Sequence, residues 1–172
     1  MEFSVHSADI DESHREDESP RDLVSRLAQE KARAVQQSDT EDSQRSFYIG
    51  ADTVVVRDGE ILGKPADRED AQDMLRSLSG RAHQVITGFC VLHRTEVHVE
   101  AVITKVWFRS LTDTVIARYV ETGEPMDKAG SYGIQAGGGS FVARIEGSYS
   151  NVVGLPVVET LRALEQLGGP RL

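Results

Sequence analysis

Four charged side chains stand where chemistry could use them: Glu12, Lys31, Asp52 and Lys64. Asp52 is the most telling. It interrupts the stretch from Phe47 to Pro65, whose apolar, β-branched run reads as a buried strand, where aspartate is disfavoured and costly to desolvate. A metal ion, a hydrogen-bond network, or a catalytic role that needs a carboxylate on a rigid backbone would offset that cost. Arg57-Asp58-Gly59 reads as a hairpin turn, and the return segment from Glu60 to Gly63 is expected to deliver Lys64 near Asp52. Glu12 closes the acidic run Ala8-Asp9-Ile10-Asp11-Glu12. Hard carboxylate oxygens suit Mg²⁺ or Mn²⁺, and two lysines suit phosphate oxygens, so the four together describe a nucleotide-phosphate site. The competing reading is a structural ion pair beside a solvated helix lysine.

The elements that must carry these residues follow from periodicity. Residues Glu2 to Ser7 alternate well enough for a short strand, with the acidic run at its end and a polar loop over Ser13 to Ser19. Ser19-Pro20 opens a helix as N-cap and first-turn proline, and Leu23, Val24, Leu27, Ala28, Ala32 and Val35 give it one inward face, with Lys31 toward its edge. Gln36 to Ser46 reads as a polar linker before the central strand. A second helix starts near Asp67, turns Ala71, Met74, Leu75 and Leu78 inward and stops at Gly80. Two strands, about Gln84 to His93 and Val97 to Arg109, form a hairpin. Thr112 caps a third helix with Val115, Ile116, Tyr119 and Val120 inward, and Gly123 ends it. Beyond the compact segment Asp127 to Gln135, Ser140 to Ile145 reads as a strand. Gly147 to Pro156 reads as turns, and Val157 to Leu167 as a closing helix.

Composition excludes several classes. The 172 residues fit one domain, with 39% hydrophobic and 27% charged residues and a formal net charge of −9 that argues against binding a nucleic-acid backbone. No apolar run reaches the roughly 18 residues of a spanning helix, and the N-terminus lacks the basic-then-apolar pattern of a secretory signal, so a cytoplasmic protein without membrane association is expected. The single cysteine, Cys90, reads as a small core residue. A Gly-x-x-x-x-Gly-Lys-Ser/Thr phosphate loop, Gly-x-Gly-x-x-Gly, His-Glu-x-x-His and Cys-x-x-Cys are all absent. The five histidines show no ligand spacing, and the glycine run at Gly137 to Gly139 suits a hairpin or helix end better than a phosphate cradle.

Several ordered motifs carry a family resemblance. Ala51-Asp52-Thr53-Val54-Val55, Gly63-Lys64-Pro65, Leu78 to Gly88, Asp127-Lys128-Ala129-Gly130-Ser131-Tyr132-Gly133-Ile134-Gln135 and Asn151-Val152-Val153-Gly154-Leu155-Pro156 resemble the Maf family across nearly the whole chain. The resemblance implies an α/β fold with a mixed, elongated sheet flanked by helices, similar to inosine triphosphate pyrophosphatases. It also implies a cytoplasmic nucleoside triphosphate pyrophosphatase, often a homodimer, that needs a divalent cation and cleaves between the α- and β-phosphates. By that resemblance Asp52, Glu12, Lys31 and Lys64 are catalytic, with Asp52 and Glu12 holding the metal. Thr53 and Gln135 match the branch that resembles dTTP/UTP pyrophosphatases. Glutamine has a physical reason to stand there, since its amide can donate to a carbonyl and accept from the ring N–H of uracil or thymine, a pairing that cytosine's edge does not satisfy.

One departure stands out. Family members begin earlier, with a strand, a Ser-x-Ser-Pro-Arg-Arg loop and a helix N-terminus, whereas this chain starts after all three. Ser19-Pro20-Arg21 lies on the far side of the acidic run and does not replace them. A single Maf-like domain truncated at its N-terminus is therefore expected. Three readings stand: a dTTP/UTP pyrophosphatase, a catalytically impaired nucleotide-binding or cell-division regulatory protein, and a start codon set too far downstream. The lost arginines would cost several kilocalories per mole of transition-state stabilisation, by analogy with other removed charge-stabilising groups.

Overall fold

Five strands form one sheet in the order β2-β1-β3-β4-β5, from β1 (Phe47–Arg57), β2 (Glu60–Leu62), β3 (Ala82–His93), β4 (Glu96–Phe108) and β5 (Val142–Glu146). The computed structural model describes residues 3–39 and 46–171. The helices are α1 (Pro20–Ser38), α2 (Arg68–Leu78), α3 (Asp113–Glu121), α4 (Tyr149–Val153) and α5 (Val157–Gln166), with 3₁₀ turns at Glu124–Asp127, Ala129–Ser131 and Gly137–Phe141.

The α/β class, with helices flanking a sheet, is the expected one. Strand pairing, however, is antiparallel throughout the described strands rather than mixed. β1 and β2 pair antiparallel through Val55↔Leu62 and Arg57↔Glu60, and β4 and β5 through Lys105↔Glu146 and Trp107↔Arg144. Phe47 at the start of β1 stacks on His93 at the end of β3, with ring centroids 4.1 Å apart, so these neighbours also run oppositely. Only a two-residue turn separates β3 from β4, which forces the same relation. The β1–β2 turn has the expected chemistry, since Asp58 (φ 52°) and Gly59 (φ 88°) are both left-handed, as a tight twisted hairpin requires.

The chain divides into two compact units. One comprises the residues up to Asp52, Thr87–Ala101 and those from Leu155 onward; the other comprises Thr53–Ile86 and Val102–Gly154. In the first, α1 lies directly on the strands because Gly50 and Gly88 present no side chain. A Cβ at Gly50 would fall 2.1 Å from the Ala28 carbonyl oxygen, and one at Gly88 would fall 2.3 Å from that of Val24. Ala28 and Ala32 then pack with Tyr48, Cys90 and Leu92. Cys90 is the inert core residue expected of it, with burial pushing its thiol up to about 11. In the second unit, Leu75 and Leu78 of α2 and Ile116 and Val120 of α3 close over Val85 and Val106 of the sheet.

The caps predicted at Ser19 and Thr112 are made, and Asp67, near which the second helix is expected to start, caps it as well. The Ser19 side chain accepts from the Asp22 N–H, that of Asp67 from the Glu69 and Asp70 N–H groups, and that of Thr112 from the Val115 N–H. Three expectations of local structure need correction. Residues 3–7 form no strand: Phe3 and Val5 are exposed at 84% and 87%, and alternation without a partner strand to bury the apolar set has nothing to stabilise it. Helix α1 also runs to Ser38, so Gln36 to Ser38 belong to it rather than to a linker. Glu2 and the linker residues 40–45 lie outside the described residues. Ser140 and Phe141 belong to a 3₁₀ turn, so β5 begins only at Val142.

Candidate active site

Glu12, Lys31 and Asp52, all in the first unit, come together in direct contact. Lys31 Nζ donates to Asp52 Oδ1 at 2.7 Å and lies 2.7 Å from Glu12 Oε1. Each arrives from a different kind of backbone. Asp52 is the sixth residue of β1 and Lys31 projects from α1, which Gly50 and Gly88 draw onto the sheet, so an ammonium from the helix reaches a carboxylate on the strand.

Glu12 sits on irregular backbone and needs fastening from elsewhere. Asp11 caps its own turn, accepting through Oδ1 from Ser13 N–H at 3.0 Å and Ser13 Oγ at 2.6 Å. Arg26 of α1 then clamps the following segment. Its Nε and Nη2 donate to the two Glu18 carboxylate oxygens at 2.6 and 2.8 Å, Nη2 also donates to the Ser13 carbonyl, and Nη1 reaches Glu30 at 3.1 Å. This fork-to-carboxylate pair is largely buried, and the Arg26 guanidinium holds the Glu18 carboxyl down to about 2 against the opposing effect of burial. By composition Ser13 to Ser19 is a polar loop, and nothing in its own residues reveals this clamp. The signal available was Arg26 and Glu30 at helical spacing next to an acidic loop.

Desolvation alone would lower the Lys31 pKa, but its hydrogen bonds to Asp52 and Glu12 outweigh it and the pKa is raised. The side chains of Asp52 and Lys31 are 13% and 22% exposed, whereas that of Glu12 is half exposed. Two carboxylate oxygens therefore converge on one point that a cation occupies. Among the described residues no cluster of three or more His, Cys, Asp or Glu is placed to hold a metal. A pair of carboxylates completed by substrate oxygens nonetheless fits the way Mg²⁺ is commonly held, so the donor set suits a divalent cation bound together with a phosphate.

Thr53, Lys64 and Gln135 belong to the second unit. Thr53 follows Asp52 along β1, and its Oγ1 lies beside Gly154, where a Cβ would approach it to 3.8 Å. Lys64 is exposed just past β2; the preceding residue Gly63 accepts a hydrogen bond through its carbonyl from Gly130 N–H at 3.0 Å. The Lys128 hydrogen bond, helped by the Lys64 charge, lowers the Asp127 pKa. Gln135 is exposed in the turn where Ala136 N–H donates to the Gly133 carbonyl at 3.2 Å. The Asn151 motif is structural here: its buried Nδ2 donates to the Val85 carbonyl at 3.1 Å and to Thr104 Oγ1 at 3.0 Å, fixing the turn beside Thr53.

Two further pieces of the second unit were not legible beforehand. His83 is buried between Phe108 and Tyr132, with Nε2 2.8 Å from the Tyr132 hydroxyl, and burial lowers its pKa to about 4. The glycine run is neither a phosphate cradle nor a hairpin: Gly137 and Gly138 N–H groups donate to the Glu124 carboxylate at 3.1 and 3.3 Å.

The profile described as Maf: Maf-like protein matches residues 1–167. A protein of Hahella chejuensis (strain KCTC 2396) named dTTP/UTP pyrophosphatase is 51% identical over 167 residues, covering 97% of this chain and 83% of the relative. One of Geotalea uraniireducens (strain Rf4) with the same name is 50% identical, covering 98% and 86%. One of Aliivibrio fischeri (strain ATCC 700601 / ES114), also so named, is 48% identical, covering 96% and 87%. With the motifs in order and Glu12, Lys31 and Asp52 in contact, the chain belongs to the Maf family.

Proposed function

We propose that this protein hydrolyses dTTP and UTP to the nucleoside monophosphate and pyrophosphate. The observation that carries the reading is the pair of 2.7 Å contacts by which Lys31 joins Glu12 and Asp52 at one point. A strand carboxylate that is only 13% exposed would be expensive to maintain for packing alone. The names of the relatives supply the reaction class.

In the reaction, water adds to the α-phosphorus and the P–O bond to the β-phosphate breaks. Its electron pair leaves with pyrophosphate, and Asp52 takes the proton that the water gives up. Glu12 and Asp52 would hold a divalent cation, Mg²⁺ or Mn²⁺, which when bound neutralises phosphate charge and makes the attacking water more acidic. Lys31 and Lys64 offset the charge of the triphosphate. Thr53 and Gln135 select the base, the exposed Gln135 amide reading the carbonyl and ring N–H of uracil or thymine.

The working form is a cytoplasmic homodimer. None of the described helices is long and apolar enough to cross a membrane, and Ile49, Val97 and Val99 are exposed apolar side chains that a second copy would cover. The test is pyrophosphate release from UTP, dTTP and CTP with Mg²⁺, Mn²⁺ and chelator. Cation-dependent release from UTP and dTTP in preference to CTP is expected. Binding of UTP without turnover under every cation would overturn the enzymatic reading and favour a regulatory one.

A further inference from the structure

The base-selecting turn is held from both sides by one pair of side chains. Tyr119 of α3 donates its hydroxyl hydrogen to Glu124 Oε1 at 2.6 Å and accepts on the same oxygen from Gly133 N–H at 3.1 Å. The Glu124 carboxylate accepts from Gly137 N–H through Oε2 at 3.1 Å and from Gly138 N–H through Oε1 at 3.3 Å. Gly133 precedes Gln135 by two residues and Gly137 follows it by two, so the two flanks of the turn are tied to the same tyrosine–carboxylate unit.

Three details indicate that this is a built clamp. A Cβ at Gly138 would fall 2.9 Å from both the Tyr119 hydroxyl and the Gly133 carbonyl oxygen, so the close approach requires glycine. Burial, reinforced by Glu124, pushes the Tyr119 pKa up and keeps the hydroxyl a donor. The Tyr119 ring is itself fixed edge-on against Phe141, at a centroid distance of 4.9 Å. The anion that the glycine amides hold is thus part of the chain, and Gln135 carries the one long polar side chain among the exposed residues 135–137 of the turn.

We infer that Tyr119 and Glu124 are positioning residues for Gln135 and thereby set the enzyme's preference for uracil and thymine over cytosine. This rests on Gln135 reading the base, as proposed above. A glutamine amide discriminates only if its carbonyl and NH₂ are presented in one orientation, and an exposed side chain on an unheld turn would sample several.

The experiment compares kcat and KM for UTP and CTP in four variants of the full chain: Gln135→Ala, Tyr119→Phe, Glu124→Gln and, as control, Phe141→Leu. Gln135→Ala is expected to abolish most of the UTP/CTP preference. Tyr119→Phe and Glu124→Gln are expected to lower it at least about fivefold, on the scale of one lost hydrogen bond, mainly through a higher KM for UTP. Phe141→Leu loosens the same packing without removing a hydrogen bond to the turn, and is expected to lower Tm while leaving the preference intact. If Gln135→Ala changes the ratio and both clamp variants keep the wild-type value, the clamp is overturned and base reading stands. If Gln135→Ala leaves the ratio unchanged, base reading by Gln135 is overturned, and the clamp's role in it falls as well.

Discussion

Replacing Asp52 by asparagine separates chemistry from architecture. The Asp52–Lys31 contact of 2.7 Å would be worth about 6 kcal/mol of gross attraction at an effective dielectric near 20, most of it offset by desolvation of the two charges. A net of about 1.5–3 kcal/mol remains for such a charge-assisted bond. Asparagine keeps an acceptor for Lys31, and Lys31 keeps Glu12 at 2.7 Å, so the expected loss of stability is nearer about 1 kcal/mol. For a chain of 172 residues that corresponds to a fall in Tm of about 2–4 °C. Loss of the proton acceptor should cost about 10²–10⁴-fold in kcat for pyrophosphate release from UTP, or roughly 3–5 kcal/mol of transition-state stabilisation. Calorimetry and a coupled pyrophosphate assay on the same preparation read the two numbers. Near-wild-type kcat would refute the role of Asp52, and a Tm drop of 10 °C or more with proportionate loss of folded protein would show that the carboxylate is there for structure.

Two other outcomes follow from the same physics. Arg26→Leu strands the Glu18 carboxylate and releases the segment that carries Glu12, so about 3 kcal/mol of stability and a substantial part of kcat should be lost, read by denaturant unfolding and the pyrophosphate assay. The Glu18 pKa is depressed from 4.5 to about 2 in the folded state, so its contribution is present above about pH 4.5 and is lost as pH falls toward 2; the variant should lack that dependence. For His83 the folded pKa of about 4 lies below its ordinary 6.5, so the folded state favours the neutral ring. Its contribution is intact above about pH 6.5 and is lost as pH falls through 4, reaching about 3 kcal/mol. Thermal unfolding between pH 7.5 and 4 should show this slope in the wild type and not in His83→Gln, and equal slopes would contradict it.

Periodicity and caps made most of the architecture legible. Ser19, Asp67 and Thr112 announced three helices because a side-chain oxygen at the N-cap satisfies backbone donors whatever the tertiary context. The turn at Asp58-Gly59 was equally local, since few residues other than glycine, asparagine and aspartate tolerate two left-handed positions in a row. The strand expected over residues 2–7 failed for the opposite reason: alternation identifies a strand only if another strand is there to pair with it.

At the site, the sequence by itself determined which residue types were available and marked Asp52 as anomalous, because a carboxylate in a β-branched run demands compensation. Only the tertiary structure decided what compensates it, an ammonium from α1 shared with Glu12, since that meeting depends on two glycines 38 residues apart that admit the helix onto the strands. The Arg26 clamp and the Tyr119–Glu124 pair were hidden for the same physical reason. Their hydrogen bonds run from helix residues to irregular segments 8 and 14 residues away, which follow no helix or strand period, and become visible only when folding brings donor and acceptor within about 3 Å.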